Sequence, residues 1–344
     1  MLTNRWPPGT KRHEVLNGID VTRLRFPLPA KRPFAAFRFL ASSPAAAAAL
    51  LRHIHRWRAD IVHVIGAGPP SAYLAALHAR LRAPLVFTAQ GELTFDAHRV
   101  FERSATLLAG LRWMLHHADA VTACSGFVMR DLEKLQEIRA PSYVIPNGVE
   151  PGDFANAPPE VGFDPYVLGV GRLVPQKGFD VLIDALAADE VAQLNLVLAG
   201  DGFERDDLRA RAVELGIDSR VRFVGTVARA RIERLLRGAR VFALPSRQEP
   251  FGIALLEAMA AGVPAVATAA GGIPEFARDG VNALLIQPDN AKALAAAIAR
   301  AAFDLELRAR VIAGGHATAE AHAWGRIADQ YEEVYRRALR QDVA

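Results

Sequence analysis

Short apolar runs alternate with amphipathic segments along most of the chain. Runs with almost no polar residue predict buried strands, whereas apolar residues repeated at intervals of three and four predict helices. Strands are predicted at residues 61–65, 85–88, 120–123, 142–145, 166–173, 194–199, 221–224, 239–244, 264–267 and 283–286. Helices are predicted at residues 34–60 with a break near 42–44, and at 71–81, 103–117, 126–136, 179–188, 206–215, 229–237, 252–261, 292–302, 304–313 and 324–339.

This alternation predicts an α/β protein with parallel sheets covered on both faces. With 344 residues, the chain is long enough for two domains. A Pro-, Ala- and Asn-rich stretch at residues 152–164 is typical of a linker. We therefore predict two doubly wound, Rossmann-like domains at residues 1–152 and 153–323, followed by a terminal helix at 324–344. Near the amino terminus, Asn17-Gly18 between apolar runs predicts a β-hairpin.

Composition narrows the setting of the protein. The single cysteine, Cys124, excludes an internal disulfide and favours a reducing compartment, so we expect a cytoplasmic protein. The polar start and the lack of a long apolar run predict neither a signal peptide nor a membrane span. The net charge is +4, and basic residues predominate before residue 60. They indicate either contact with an anionic membrane or phosphorylated acceptor, or an ordinary solvated face. Because they are scattered and follow no nucleic-acid module, we expect no nucleic-acid partner.

The stretch from residue 245 to 266 carries the strongest chemical signal. Glu249 precedes the predicted helix and Glu257 lies on its second turn. The first amides of that helix, at Gly252, Ile253 and Ala254, attract anions, while the carboxylates can accept hydrogen bonds from sugar hydroxyls. Two acidic residues near a helix start are common by themselves, because the helix dipole favours them.

A second signal follows the strand predicted at residues 166–173. Arg172 ends this strand and Lys177 opens the next helix, where a cation opposes the helix dipole. A bound phosphate between the two side chains would make the arrangement favourable. The alternative is a surface ion pair.

Together, the strings GRLVPQKG and EPFGIALLEAMAAGVPAVA resemble glycosyltransferase family 4, whose members are retaining enzymes of the GT-B fold. The resemblance implies two domains facing across a cleft. It implies that Arg172 and Lys177 hold the donor diphosphate, that Glu249 contacts the donor sugar, and that Glu257 holds the ribose. The remaining donor-site candidates are Phe251, Gly252, Ile253, Ala254, Val224, Gly200 and Asp201, although Asp201 is favoured as a structural turn residue.

The acceptor-side candidates lie in the first half of the chain. They are Gln90, Glu92 and His98. Family members often carry a histidine where Gln90 stands, and His98 and His63 are the candidates to replace it. Family members also begin with a strand, a glycine-rich loop and a helix that this chain lacks, so we expect either an upstream start or a truncation.

The resemblance implies transfer of a sugar from a UDP- or GDP-linked donor to a saccharide or lipid-linked hydroxyl, with retention. Neither a metal nor a cofactor is expected, because no Asp-x-Asp, paired cysteines or His-x3-His is present. Such an enzyme would serve polysaccharide or glycolipid synthesis, either in the cytoplasm or at the cytoplasmic face of the membrane. Two alternatives remain open: a nucleotide-sugar hydrolase or epimerase, and a non-catalytic nucleotide-sugar-binding protein.

Overall fold

The computed structural model describes residues 1–5, 9–28, 33–93, 96–97, 99–155, 157–163 and 165–341. Contacts divide the chain into two compact units. The first comprises Met1–Ala123, Met129–Val144 and Tyr331–Ala344, and the second comprises Cys124–Val128 and Ile145–Gln330. The domain boundaries at residues 152 and 323 stay predictions, because compactness alone does not define where a domain folds independently.

The elements up to residue 144 alternate largely as the apolar pattern predicts. They are β1 (Leu2–Asn4), β2 (His13–Leu16), β3 (Ile19–Leu24), α1 (Pro33–Arg56), β4 (Val62–Ile65), α2 (Pro69–Leu77), β5 (Leu85–Ala89), α3 (Val100–Arg103), α4 (Ala105–His117), β6 (Ala120–Ala123), α5 (Gly126–Leu135) and β7 (Ser142–Val144). In the described part of the first unit, β4-β5-β6-β7 form a parallel sheet and β1-β3-β2 a smaller one.

The predicted hairpin is present between β2 and β3. Leu16 pairs with Ile19 across a two-residue turn, in which Asn17 and Gly18 have φ values of 49° and 80°. Left-handed values at both turn residues explain the Asn-Gly dipeptide.

Of two helix predictions in this half, one was wrong in part and the other was confirmed. The predicted break in α1 is absent: Pro44 lies inside the helix on its exposed face, where the proline ring meets solvent. The helix predicted at 103–117 is confirmed as α4, which begins two residues later because the Ser104 hydroxyl accepts a hydrogen bond from the Leu107 amide (3.3 Å) and caps its start.

The remaining elements begin after residue 145. They are α6 (Gly152–Ala155), β8 (Tyr166–Val170), α7 (Phe179–Leu186), β9 (Asn195–Ala199), α8 (Arg205–Glu214), β10 (Val221–Gly225), α9 (Arg229–Gly238), β11 (Val241–Leu244), α10 (Ile253–Ala260), β12 (Ala265–Thr268), α11 (Ile273–Phe276), β13 (Leu284–Ile286), α12 (Ala291–Phe303), α13 (Leu305–Ala321) and α14 (Trp324–Gln341).

Strands β10-β9-β8-β11-β12-β13 form a parallel six-stranded sheet in the described part of the second unit. Its four central strands, β9, β8, β11 and β12, are almost entirely buried, as expected of a sheet with helices on both faces, whereas the edge strands β10 and β13 are only partly buried. The chain proceeds from β8 towards one edge and then returns to place β11 on the other side of β8. This reversal makes the carboxyl ends of β8 and β11 the topological switch point, where such sheets bind ligands.

The predicted end of α13 at residue 313 was wrong. A glycine pair there is typical of a helix terminus, but the helix continues to Ala321. A Cβ on Gly314 would lie 2.2 Å from the Val281 carbonyl oxygen. The glycine therefore serves close approach to the neighbouring loop, and does not end the helix.

Candidate functional site

Four loops at the carboxyl edge of the six-stranded sheet are interlocked through their backbones. Glycines allow this contact because a side chain would not fit. A Cβ on Gly200 would lie 1.8 Å from the Gly171 carbonyl oxygen, one on Gly178 would lie 2.2 Å from the Pro245 carbonyl oxygen, and one on Gly271 would lie 1.9 Å from the Glu249 carbonyl oxygen. The amides of Gly171 and Gly272 donate to the carbonyls of Ala199 (3.0 Å) and Glu249 (2.9 Å). The loops after β8, β9, β11 and β12 are thus held as one rigid edge.

Arg172 lies in the first of these loops. The prediction that it ends a strand was wrong, because β8 stops at Val170 and the chain turns to bond the loop after β9. The Leu173 amide donates to the Asp201 carbonyl (3.0 Å), and the Arg172 side chain is exposed.

Lys177 and Glu249 contact each other directly at the switch point. The Lys177 Nζ lies 2.6 Å from Glu249 Oε2, and their side chains are only 11% and 8% exposed. The buried Ser246 hydroxyl donates to the same carboxylate oxygen at 3.0 Å. The sequence signals that identified Lys177 and Glu249 separately therefore belong to one cluster, although their direct ion pair was not predicted.

Arg247 fastens the two loops that carry this pair, and the sequence analysis missed it. Its guanidinium donates to both carboxylate oxygens of Asp180 (2.9 and 2.6 Å), to the Pro175 carbonyl (2.8 Å) and to Asp289 Oδ1 (2.6 Å). Burial disfavours the charged form of Asp180, but the hydrogen bond and charge of Arg247 outweigh it and lower the pKa of Asp180. The Arg247 amide also donates to the Gln176 carbonyl (2.8 Å).

The start of α10 is arranged as an anion site would require. Gly252 has a φ of 111°, a left-handed value that favours glycine. Within the described residues, no acceptor is assigned to the amides of Ile253 and Ala254. Phe251 is buried and stacks on Phe276 with ring centroids 4.9 Å apart, which fixes the entry to the helix.

Glu257 has a partner that the sequence did not reveal. Its Oε1 accepts a hydrogen bond from Arg229 at the start of α9, and its side chain is 13% exposed. Burial raises the pKa of Glu257, and the opposing effect of Arg229 only partly offsets this. A buried carboxylate beside one guanidinium can still accept hydroxyl hydrogen bonds through its second oxygen.

The other donor-site candidates surround this edge with differing roles. Asp201 accepts from the Gly202 amide (2.9 Å) and lies 3.4 Å from Arg205, as a turn residue would. The Gly200 amide donates to the Gly225 carbonyl at 2.9 Å, and Gly225 directly follows Val224 in the chain. The backbones of Gly200 and Val224 therefore belong to neighbouring loops.

The acceptor-side candidates lie in the first unit. Glu92 accepts from the amides of Ala67 (2.8 Å) and Gln90 (2.9 Å), and burial raises its pKa against those hydrogen bonds. Both carboxylate oxygens therefore bind backbone, which favours a structural role. His98 lies outside the described residues. The alternative His63 is held by Tyr335 (2.7 Å) and Thr88 (2.6 Å), and burial lowers its pKa to about 4.

The described residues include neither a metal cluster nor an apolar helix of membrane length. They contain no group of three or more His, Cys, Asp or Glu side chains placed to share a metal ion. No helix in the described ranges has the length and apolar character needed to cross a bilayer. Cys124 is buried.

Comparisons with known proteins agree with the sequence resemblance. Residues 154–317 match the model for glycosyl transferases group 1, and residues 1–153 match that for glycosyltransferase family 4. The D-inositol 3-phosphate glycosyltransferase of Streptomyces griseus is 30% identical over 318 residues, which are 84% of this chain and 67% of that protein. The chain spans about half the length of the first curated relatives that it matches.

Solved structures extend the likeness to the fold. Sucrose-phosphate synthase from Thermosynechococcus elongatus has a TM-score of 0.81 and 25% identity, with 98% of this chain and 88% of that chain covered. HepE from Anabaena in complex with UDP-glucose has a TM-score of 0.74 and 25% identity, with 92% and 86% covered. These matches confirm the predicted family and fold class. The chain belongs to glycosyltransferase family 4, the group 1 glycosyl transferases, and has the GT-B fold.

Proposed function

We propose that this protein transfers a sugar from a UDP- or GDP-linked donor to a hydroxyl acceptor with retention of anomeric configuration. Family membership supports glycosyl transfer. The similarity to HepE, whose structure holds UDP-glucose, supports a nucleotide-sugar donor.

The observation that carries the proposal is the Lys177–Glu249 pair at the switch point. A buried cation and anion 2.6 Å apart lie at the edge where parallel sheets bind ligands. The loops that hold them are tied by Arg247, so neither side chain depends on flexible backbone for its position. The amides of Ile253 and Ala254 follow directly, and within the described residues they have no assigned acceptor.

Each group has a role in this proposal. Lys177 and Arg172 meet the negative charge that grows on the leaving diphosphate, and the α10 amides bind its oxygens. Glu249 accepts hydrogen bonds from donor-sugar hydroxyls, and Glu257 does the same for the ribose. The charge of the diphosphate is thus met by protein groups, so the proposal needs neither a metal nor a cofactor.

Retention follows from attack on the face that the diphosphate leaves. The acceptor oxygen bonds to the anomeric carbon as the bond from that carbon to the phosphate oxygen breaks. The acceptor proton passes to an oxygen of the departing phosphate. Glu249 then positions and stabilises the sugar and forms no covalent bond.

The acceptor in this proposal is a saccharide or lipid-linked hydroxyl, as polysaccharide or glycolipid synthesis requires. Gln90 remains a proposed acceptor contact, whereas the backbone amides that bind Glu92 favour a structural role for that side chain. The basic residues before residue 60 would draw an anionic acceptor, or an anionic membrane at the cytoplasmic face.

A donor panel tests the proposal. Purified protein is incubated with labelled UDP-glucose, UDP-N-acetylglucosamine, GDP-mannose and saccharide or lipid-linked hydroxyl acceptors, and the anomeric configuration of any product is read by NMR. We expect an acceptor-dependent product of retained configuration from one donor class. Rapid release of free sugar without acceptor would instead indicate a hydrolase, and donor binding without turnover would indicate a binding protein.

A further inference from the structure

Arg229 is the centre of a charged cluster that links α9, α10 and α6. Its guanidinium binds Glu257 Oε1, lies 3.1 Å from Glu233 Oε1 and 3.7 Å from Asp153 Oδ2, and sits 5.0 Å above the ring of Phe154. One cation thus serves three carboxylates from three elements, and we call this the Arg229 cluster.

The position of Arg229 is unfavourable for an isolated helix. It is the first residue of α9, where the helix dipole disfavours a positive charge. The side chain is nevertheless 46% exposed and directed at a carboxylate that is 13% exposed. The attraction between Arg229 and the buried carboxylate of Glu257 therefore outweighs the unfavourable helix dipole. Such conflicts with a local rule are often found at functional sites.

Glu257 is the member of the cluster that most needs a counter-ion. Burial disfavours its charged form, and the nearby carboxylates Glu233 and Asp153 add to that effect. Arg229 is the positive group that faces it in the described structure, and it engages only Oε1. In the described residues, Oε2 has no assigned donor and is open to a ligand hydroxyl.

We propose that Arg229 is a positioning residue of the donor site: its contact with Oε1 orients Glu257 so that Oε2 can accept a hydrogen bond from the donor ribose. The inference rests on the proposed nucleotide-sugar function. It adds a residue outside both sequence motifs and assigns it an effect that depends on pH.

The test measures UDP-glucose binding from about pH 5 to about pH 9 by calorimetry, with GDP-mannose replacing it if the wild-type protein prefers that donor. A sugar-linked diphosphate is the right probe, since the terminal phosphate of free UDP titrates near pH 6 and would confuse the profile. The variants are Arg229→Gln, Arg229→Lys, Glu257→Gln and the double variant Arg229→Gln/Glu257→Gln.

We expect Arg229→Gln to bind the donor at least about 10-fold more weakly near pH 6 and to recover most of the loss near pH 9, because Glu257 then ionises without help. Glu257→Gln should bind weakly at every pH, and the double variant should be no weaker than Glu257→Gln alone. Arg229→Lys keeps the charge and should lie between the wild type and Arg229→Gln.

Arg231→Gln is the matched control. Arg231 lies on the same helix and pairs with a different carboxylate, Glu160, at 3.0 Å. We expect its donor affinity to equal that of the wild type. A loss in Arg229→Gln that does not vary with pH, or wild-type affinity in that variant, would overturn the positioning role. Wild-type affinity in Glu257→Gln would instead remove the ribose contact, and no donor binding in the wild type would remove the proposed function itself.

Discussion

The two units differ in what the polar groups at their strand ends bind. At the carboxyl edge of the six-stranded sheet, Lys177 and Glu249 pair with each other, and the helix amides that follow Glu249 in sequence have no assigned acceptor in the described chain. In the four-stranded sheet of the first unit, Glu92 is bound by backbone amides and His63 by hydroxyl groups. The first arrangement keeps binding capacity available, whereas the second uses it for the fold.

His63 shows this difference most clearly. It lies on β4 and binds Thr88 on β5 and Tyr335 on α14, and Thr88 in turn contacts Thr122 on β6 at 2.5 Å. These bonds hold the end of α14 to the sheet of its own unit. A histidine beside a predicted ligand edge can therefore be a structural residue, and its neighbours decide which role it has.

The largest expected effect comes from Lys177→Ala. The substitution removes charge from the proposed diphosphate site and leaves Glu249 buried without its cation, so we expect transfer to slow by about 10²–10³-fold. Steady-state rates with the preferred donor check this. Lys292→Ala, an exposed lysine on α12, is the control and should keep the wild-type rate. A Lys177→Ala enzyme as fast as the wild type would place the catalytic charge elsewhere.

His63 should affect stability and leave the donor site unchanged. The unfolded chain protonates this histidine near pH 6.5, but the folded chain does so only near pH 4. The stability due to neutral His63 is therefore present above about pH 6.5 and is lost as the pH falls towards 4, by roughly 2–3 kcal/mol.

Urea unfolding at several pH values tests this prediction. The loss between pH 6.5 and 4 should be smaller in His63→Gln than in the wild type, while donor affinity near pH 7 stays unchanged. The exposed His13, 60% accessible, supplies the control variant His13→Gln, whose profile should match the wild type. If His63→Gln shows the wild-type pH dependence, the buried neutral imidazole is not its source.

Arg247→Lys should have an intermediate effect. Lysine cannot bind both oxygens of Asp180 while also reaching Asp289 and the Pro175 carbonyl, so the loops carrying Lys177 and Glu249 lose their common anchor. We expect kcat/KM of Arg247→Lys to fall by about 10-fold, and part of this fall should come from a higher KM for the donor. Arg240→Lys, before β11 at the opposite edge of the sheet, should leave these values unaltered. Equal losses in both variants would indicate general destabilisation.

Asp201→Asn should have the smallest effect. Asp201 caps its own turn at Gly202 and is exposed, so the cost should be about 0.5 kcal/mol in stability with less than a twofold change in rate. Thermal unfolding and donor titration check both parts. A large fall in donor affinity would assign Asp201 to the donor site after all.

The sequence predicted the sheets, the hairpin and the site motifs because each leaves a local signal. Lys177 and Glu249 stand at the end of a strand and the start of a helix, positions that short patterns reveal. Arg229 and Arg247 leave no such signal, since their carboxylate partners Glu257 and Asp180 lie 28 and 67 residues away. Long-range ion pairs become visible only when the loops are brought together.

The errors in the helices have the same origin. Gly314 resembles a helix terminus in sequence, but its neighbour Val281 requires a residue without a side chain. Pro44 resembles a helix break, but its ring lies on an exposed face. In both cases, the structure depends on the tertiary environment of the residue, which a short stretch of sequence does not contain.

Titration of a nucleoside-diphosphate donor into the wild-type protein, Lys177→Ala and His63→Gln tests the central claim most directly. The account predicts that the wild type and His63→Gln bind the donor equally near pH 7, and that Lys177→Ala binds it more weakly by about 1–3 kcal/mol. Equal affinity in all three proteins would show that the switch point of the second unit does not hold the diphosphate.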